Sequence, residues 1–100
     1  MAAATLPASV AEVPTEKPSR YLGQLCKHFA HRLPVSFDER RGRIEFPAGL
    51  CEAEAGPGTL TLRVTAPDAA ALPGLEDVVA RHLARFAFRE QPEIRWTRSA

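Results

Sequence analysis

Between positions 26 and 31 the chain places one of its two cysteines and two of its three histidines, Cys26, His28 and His31. Thiols and imidazoles are the side chains that bind borderline metals or titrate near neutral pH. His28 and His31 stand at i, i+3, a spacing that lets two rings converge from one helix face. Such a pair can serve as two metal ligands or as an axial ligand to haem. Two protein ligands leave a metal open, since zinc normally takes three or four, so a cofactor or a second chain must complete the set. The plainer reading is two imidazoles on a wet surface. With Gln24 one turn earlier, this face is the candidate ligand surface.

The element that carries these groups is an amphipathic helix over residues 18–33. Leu22, Leu25, Cys26, Phe29 and Leu33 recur at helical spacing, Pro18 suits a first turn, and Pro34 stops the helix. Gly23 weakens it by roughly 1 kcal/mol relative to Ala. The wheel puts Cys26 on the buried side and Gln24, His28 and His31 on the other. A regular helix therefore cannot bring Cys26, His28 and His31 to one metal.

Residues 9–13 read as a first strand. From Val35 the period changes to two. Alternating runs at 35–38, 43–46, 50–54 and 59–65 are separated by turn residues such as Pro47-Ala48-Gly49 and Gly56-Pro57-Gly58, which describes an antiparallel meander. Asp68 is a good N-cap, Pro73-Gly74 is expected to kink or restart the helix that follows, and Leu75, Val78, Val79, Leu83 and Phe86 are strongly helical. Residues 93–97 read as a last strand. The order β-α-β-β-β-β-α-β predicts an α+β domain over residues 9–100, a two-layer sandwich with both helices on one face of an antiparallel sheet, after a loose tail at 1–8. Val35, Phe37, Ile44, Phe46, Cys51, Ala53, Leu60, Leu62, Val64, Ile94 and Trp96 are expected to face the helices. Asp38, Arg43, Glu45, Glu52, Glu54, Thr59, Thr61, Arg63 and Arg95 are expected on the other face.

This outline creates a second candidate cluster. Cys26, Cys51 and His82 all point inward and form a Cys₂His set suited to a soft divalent metal. Against it stands the habit of free cysteines to act as small buried hydrophobes, with a core histidine held by one carbonyl. No Gly-rich phosphate loop, G-x-S-x-G, C-x-x-C or H-E-x-x-H is present in the sequence. The glutamates of the outer face, interleaved with arginines, read as cross-strand charge pairs.

With 13 basic and 12 acidic side chains the net charge is +1. That balance argues against nucleic acid or an anionic membrane as a partner held by charge. The outline is also similar to TATA-box-binding-protein-like folds, but an outer face with glutamates and no aromatic would repel phosphates and offer no stacking platform. There is no run of about 18 apolar residues, and the first residues lack a basic and apolar leader pattern. A cytoplasmic protein with reduced thiols is expected.

The segments 24–31 (QLCKHFAH), 41–46 (RGRIEF) and 75–87 (LEDVVARHLARFA), in that order, resemble the DUF2218 family of small bacterial proteins. The resemblance spans about residues 9–98. It implies a free-standing small protein or an appendage to siderophore-interacting flavoprotein reductases, and so a setting in iron uptake. The aldolase label that some relatives carry finds no Schiff-base lysine or ligand set here. The reading is thus a small accessory domain that binds a ligand, a metal ion or haem through Gln24, His28 and His31, with a flavoprotein siderophore reductase as the implied partner. The alternatives are an enzyme using Cys26 or His28/His31 as nucleophile or general base, and an interaction module that docks on the reductase.

Overall fold

The chain realises the expected α+β plan. The computed structural model describes residues 6–99, so positions 1–5 of the expected tail lie outside the described residues. The elements are β1 (Ala8–Pro14), α1 (Pro18–Ala30), β2 (Val35–Phe37), β3 (Arg41–Phe46), β4 (Gly49–Gly56), β5 (Thr59–Thr65), a 3₁₀ turn at Ala69–Ala71, α2 (Leu72–Phe86) and β6 (Trp96–Ser99). The strands form one sheet in the order β2-β3-β4-β5-β1-β6. Every neighbouring pair is antiparallel. No helix among the described residues is long and apolar enough to cross a membrane.

Alternation decides the two faces. Ala11, Val13, Ile44, Cys51, Ala53, Leu60, Leu62 and Val64 are buried, and they pack with Leu22, Leu25, Cys26 and Phe29 of α1 and Leu72, Leu75, Val79 and Leu83 of α2. On the other face the register aligns Arg43, Glu52 and Arg63 in one row and Arg41, Glu54, Thr61 and Glu12 in the next. Opposite charges therefore stand side by side, as cross-strand pairing favours. Arg41 and Glu54 approach to 3.6 Å.

Packing, not local propensity, makes α1 a helix. It has only 13 residues and no side-chain cap, and helices of that length are marginal alone. Each buried leucine contributes about 1.5–3 kcal/mol, which outweighs the glycine. The seat is cut to fit. A methyl group on Gly42 of β3 would lie 2.5 Å from the Cys26 sulfur and 3.4 Å from Leu22, so the glycine leaves the hollow that the thiol fills.

The start of α1 is held from a distance. Glu90, beyond α2, accepts from the Thr15 hydroxyl at 2.9 and 3.1 Å and from the Glu16 amide at 3.1 Å. A carboxylate at a helix N-terminus is also favoured by the helix dipole. The Tyr21 hydroxyl, ahead of these amide and hydroxyl contacts, holds the Glu90 carboxyl below its ordinary pKa. At the other edge, Arg98 of β6 grips Glu76 of α2 through two 2.9 Å bonds. The buried Ser9 hydroxyl lies near that carboxylate without a well-formed hydrogen bond.

Strand ends shift by a residue or two, with β1 taking in Ala8 of the expected tail and β3 beginning at Arg41, and four further details differ from the sequence expectation. α1 ends at Ala30, and residues 31–33 close it as a turn in which the Arg32 and Leu33 amides share the Phe29 carbonyl. α2 begins at Leu72, before Leu75, and Pro73 does not interrupt it, because proline sits in its first turn, where its missing N–H costs nothing. β6 covers 96–99 rather than 93–97. Ile94 and Trp96 do pack against the core, but inward alternation does not show where ladder bonds begin. Phe37 is 40% exposed rather than buried, since it lies on an edge strand opposite Gly42, which has no side chain to pack on it.

Two outcomes test this account. Gly42→Ala should lower unfolding free energy by about 1–3 kcal/mol, as overpacking does. Adding Cys26→Ala should restore part of that loss in denaturant titrations, and strictly additive costs would show that the contact is not the cause. Glu90 has a depressed pKa, so its contribution is present above the unfolded carboxyl value of 4.5 and fades as pH falls through the lower folded value. Glu90→Gln should lower Tm at pH 7, and the gap from the parent should close in acid.

Candidate functional site

α1 and α2 run antiparallel, and their contact line brings together histidines that lie 54 positions apart in the chain. The rings of His28 and His82 have centroids 4.6 Å apart with planes inclined at 42°. Phe29 lies 4.9 Å from His82 and 5.0 Å from Phe46, and Phe86 lies 5.9 Å from His28. His28, His82, Phe29 and Phe46 border a groove of about 480 Å³. Phe29, Phe46 and Val78 form its apolar wall, and His28, His31, Arg32 and His82 its polar rim.

His82 is oriented by its own helix. Its Nδ1 lies 2.6 Å from the Val78 carbonyl. A carbonyl only accepts, so Nδ1 carries the hydrogen and the neutral ring keeps its lone pair on Nε2. His28 has its pKa lowered by desolvation first, then by His82, Arg85, His31 and Arg32. Its neutral form is thus favoured beyond that of a free imidazole. Among the described residues no carboxylate lines the groove.

The sequence candidates divide. His28 and His31 both stand on this groove. Gln24 does not. It borders two other hollows, one beside Phe37 and one beside Phe86 and Phe88, and its buried Oε1 has no hydrogen-bond partner. Cys26, Cys51 and His82 do not gather into a ligand set. Among the described residues no group of three or more His, Cys, Asp or Glu side chains is placed to hold a metal ion. Cys26 fills the Gly42 hollow, Cys51 lies between Ile44 and Val64 in the sheet, and His82 turns to His28 instead. Both thiols are free and buried. Burial pushes Cys26 up to about 11 and Cys51 up to about 12, the opposite of the activation a nucleophile needs.

Sequence reasoning missed the partnership of His28 with His82, and with it the cationic setting supplied by Arg32 and Arg85. The signal available was weak. His82 falls near the apolar stripe of α2, and only the helix–helix register shows that it stands at the border of the core.

The comparisons agree with this architecture. The family model DUF2218, described as an uncharacterized protein conserved in bacteria, matches residues 10–97. The NMR structure of PA4090 from Pseudomonas aeruginosa is similar to this chain, with a TM-score of 0.75 and 35% identity over 93% of this chain and 96% of that one. No curated protein matches the chain.

The thiols give a direct test of the inside and outside of α1. With Cys26 raised from 9.0 to about 11, the thiolate fraction near pH 8 falls roughly a hundredfold. A thiol-specific reagent should therefore label native protein at least that much more slowly than protein in denaturant. Rapid labelling of Cys26 in the folded state would restore it as a candidate nucleophile.

Proposed function

The chain belongs to DUF2218, an uncharacterized bacterial family, and we propose that it is a small ligand-binding domain whose ligand is an anion with an aromatic or apolar body. The observation that carries this reading is the groove between α1 and α2. Its wall is aromatic, its rim holds three imidazoles and Arg32, Arg85 stands close enough to influence His28, and among the described residues no carboxylate lines it. Fixed positive charge beside a low-dielectric wall attracts anions and holds them more strongly than the same charge in open water. The phenylalanine rings supply contact area for a flat ligand.

Iron–siderophore handling, with a flavoprotein reductase as partner, is the setting that fits such a ligand. Ferric catecholates and haem are aromatic and anionic. The groove meets these requirements with the last turn of α1, so His28 and His31 remain its candidate contacts and Gln24 serves another part of the surface.

Titration of protein prepared without a histidine tag with 2,3-dihydroxybenzoate, its ferric complex and ferric haem tests the reading. Saturable binding of at least one is expected. Arg32→Glu should weaken it by about tenfold, the order of one charge-assisted hydrogen bond, and added salt should weaken it further. Failure of all three ligands to bind removes the reading.

A further inference from the structure

We propose that His28 and His82 together complete the coordination sphere of a first-row transition-metal ion that arrives within an anionic chelate. The proposal deepens the anion-groove reading and rests on it. Its starting point is spacing. With metal–nitrogen bonds of about 2.0–2.1 Å, two imidazoles on adjacent coordination positions have centroids about 4.5–5 Å apart. The two rings already stand at 4.6 Å.

The second element is orientation. A ligating histidine commonly donates its other ring N–H to a carbonyl or carboxylate, which fixes the tautomer and makes the free nitrogen more basic. The Val78 carbonyl does this for His82 and leaves Nε2 as the donor atom. His28 is exposed on α1 and can turn its ring without disturbing the core. Phe29 packs against both rings and keeps one side of the pair dry.

Charge then selects the form in which the metal enters. A bare dication would meet Arg32 and Arg85 with no carboxylate among the lining residues to offset its charge. A chelate with net negative charge reverses that sign, and its oxygens are suited to the guanidinium donors. His28 and His82 offer two nitrogens, and among the described residues no third ligand joins them to hold a metal ion, so the chelator must fill the remaining positions. Imidazole suits zinc, copper, nickel and ferrous iron.

Nickel nitrilotriacetate is a fitting probe. It is anionic, and its four donor atoms leave two adjacent positions of an octahedral ion open. Calorimetry and visible absorption with tag-free protein should show one-to-one binding of the complex and a band shift from two added nitrogen donors. Free nitrilotriacetate should not produce that band. His28→Gln and His82→Gln should each weaken binding by more than about tenfold, the lower end of what the loss of an orienting partner costs. Gln24→Ala, away from the groove, should leave it unchanged. Thermal unfolding without metal checks that each variant folds, and His28→Gln, at an exposed position, serves if His82→Gln does not.

No binding of the nickel complex would overturn the proposal. So would an intact two-nitrogen band in His28→Gln, or equal losses in His28→Gln and His31→Gln with none in His82→Gln. Binding of the aromatic anions without binding of the nickel complex removes the metal proposal alone, whereas failure of both removes the groove reading as well.

Discussion

The seating of the Cys26 sulfur over Gly42 fixes the rotation of α1, and the rest of the site follows from that rotation. A helix that packs through one stripe has no independent choice about its other faces. With Leu22, Leu25, Cys26 and Phe29 turned to the sheet, His28 stands beside α2 and His31 farther out. A side chain at position 42 would lift or roll α1 and move His28 relative to His82. The buried thiol is thus best understood as a packing group. Its reactivity is suppressed by the same contact that places the imidazole.

Electrostatics distinguishes the two faces of the molecule. On the open sheet face the cross-strand rows alternate arginine and glutamate, so the local charges offset one another and no uniform field develops. Around the groove the cations lack such partners in its lining, and His28 favours its neutral form, through desolvation first and then through His82 and these neighbouring cations. The near-zero net charge of the chain hides this difference. A total charge says little about a site when charges offset one another on one face and the cations beside another stand with no carboxylate in its lining.

Much of the fold was legible because its pattern is local. The period-2 runs around Ile44–Phe46, Cys51–Ala53 and Leu60–Val64 and the glycine–proline turns between them identify the meander. Gly58, at φ +68°, takes the left-handed conformation that its turn needs. The helical faces of α1 and α2 were legible for the same reason, including the concealment of Cys26. The boundaries of α1 and β6 were less so, since hydrophobic periodicity continues through residues that no longer make regular backbone bonds. The exposure of Phe37 depends on its being at an edge, and strand order is not written in the alternation. The His28–His82 pair depends on the register between two helices separated by the whole meander, which no local spacing encodes.

That register explains why the groove has its place and its composition. Along the antiparallel contact, Tyr21 meets Glu90, Gln24 and Phe86 border one hollow, His28 faces His82, and Arg32 and Val78 border the groove. One end of this line is tied by the Glu90 carboxylate, whose bonds to Thr15 and Glu16 hold the start of α1 against the segment after α2. Among the described residues no side-chain hydrogen bond or ion pair ties the other end. There the helices are joined by ring contacts among His28, Phe29, His82 and Phe86, which are weaker and less directional than a charge-assisted hydrogen bond. An arrangement pinned at one end and closed by aromatic contacts at the other places its adaptable space at the second end. The imidazoles sit there, where small adjustments of α1 cost least and where a ligand can supply the interactions that the two helices do not make with each other.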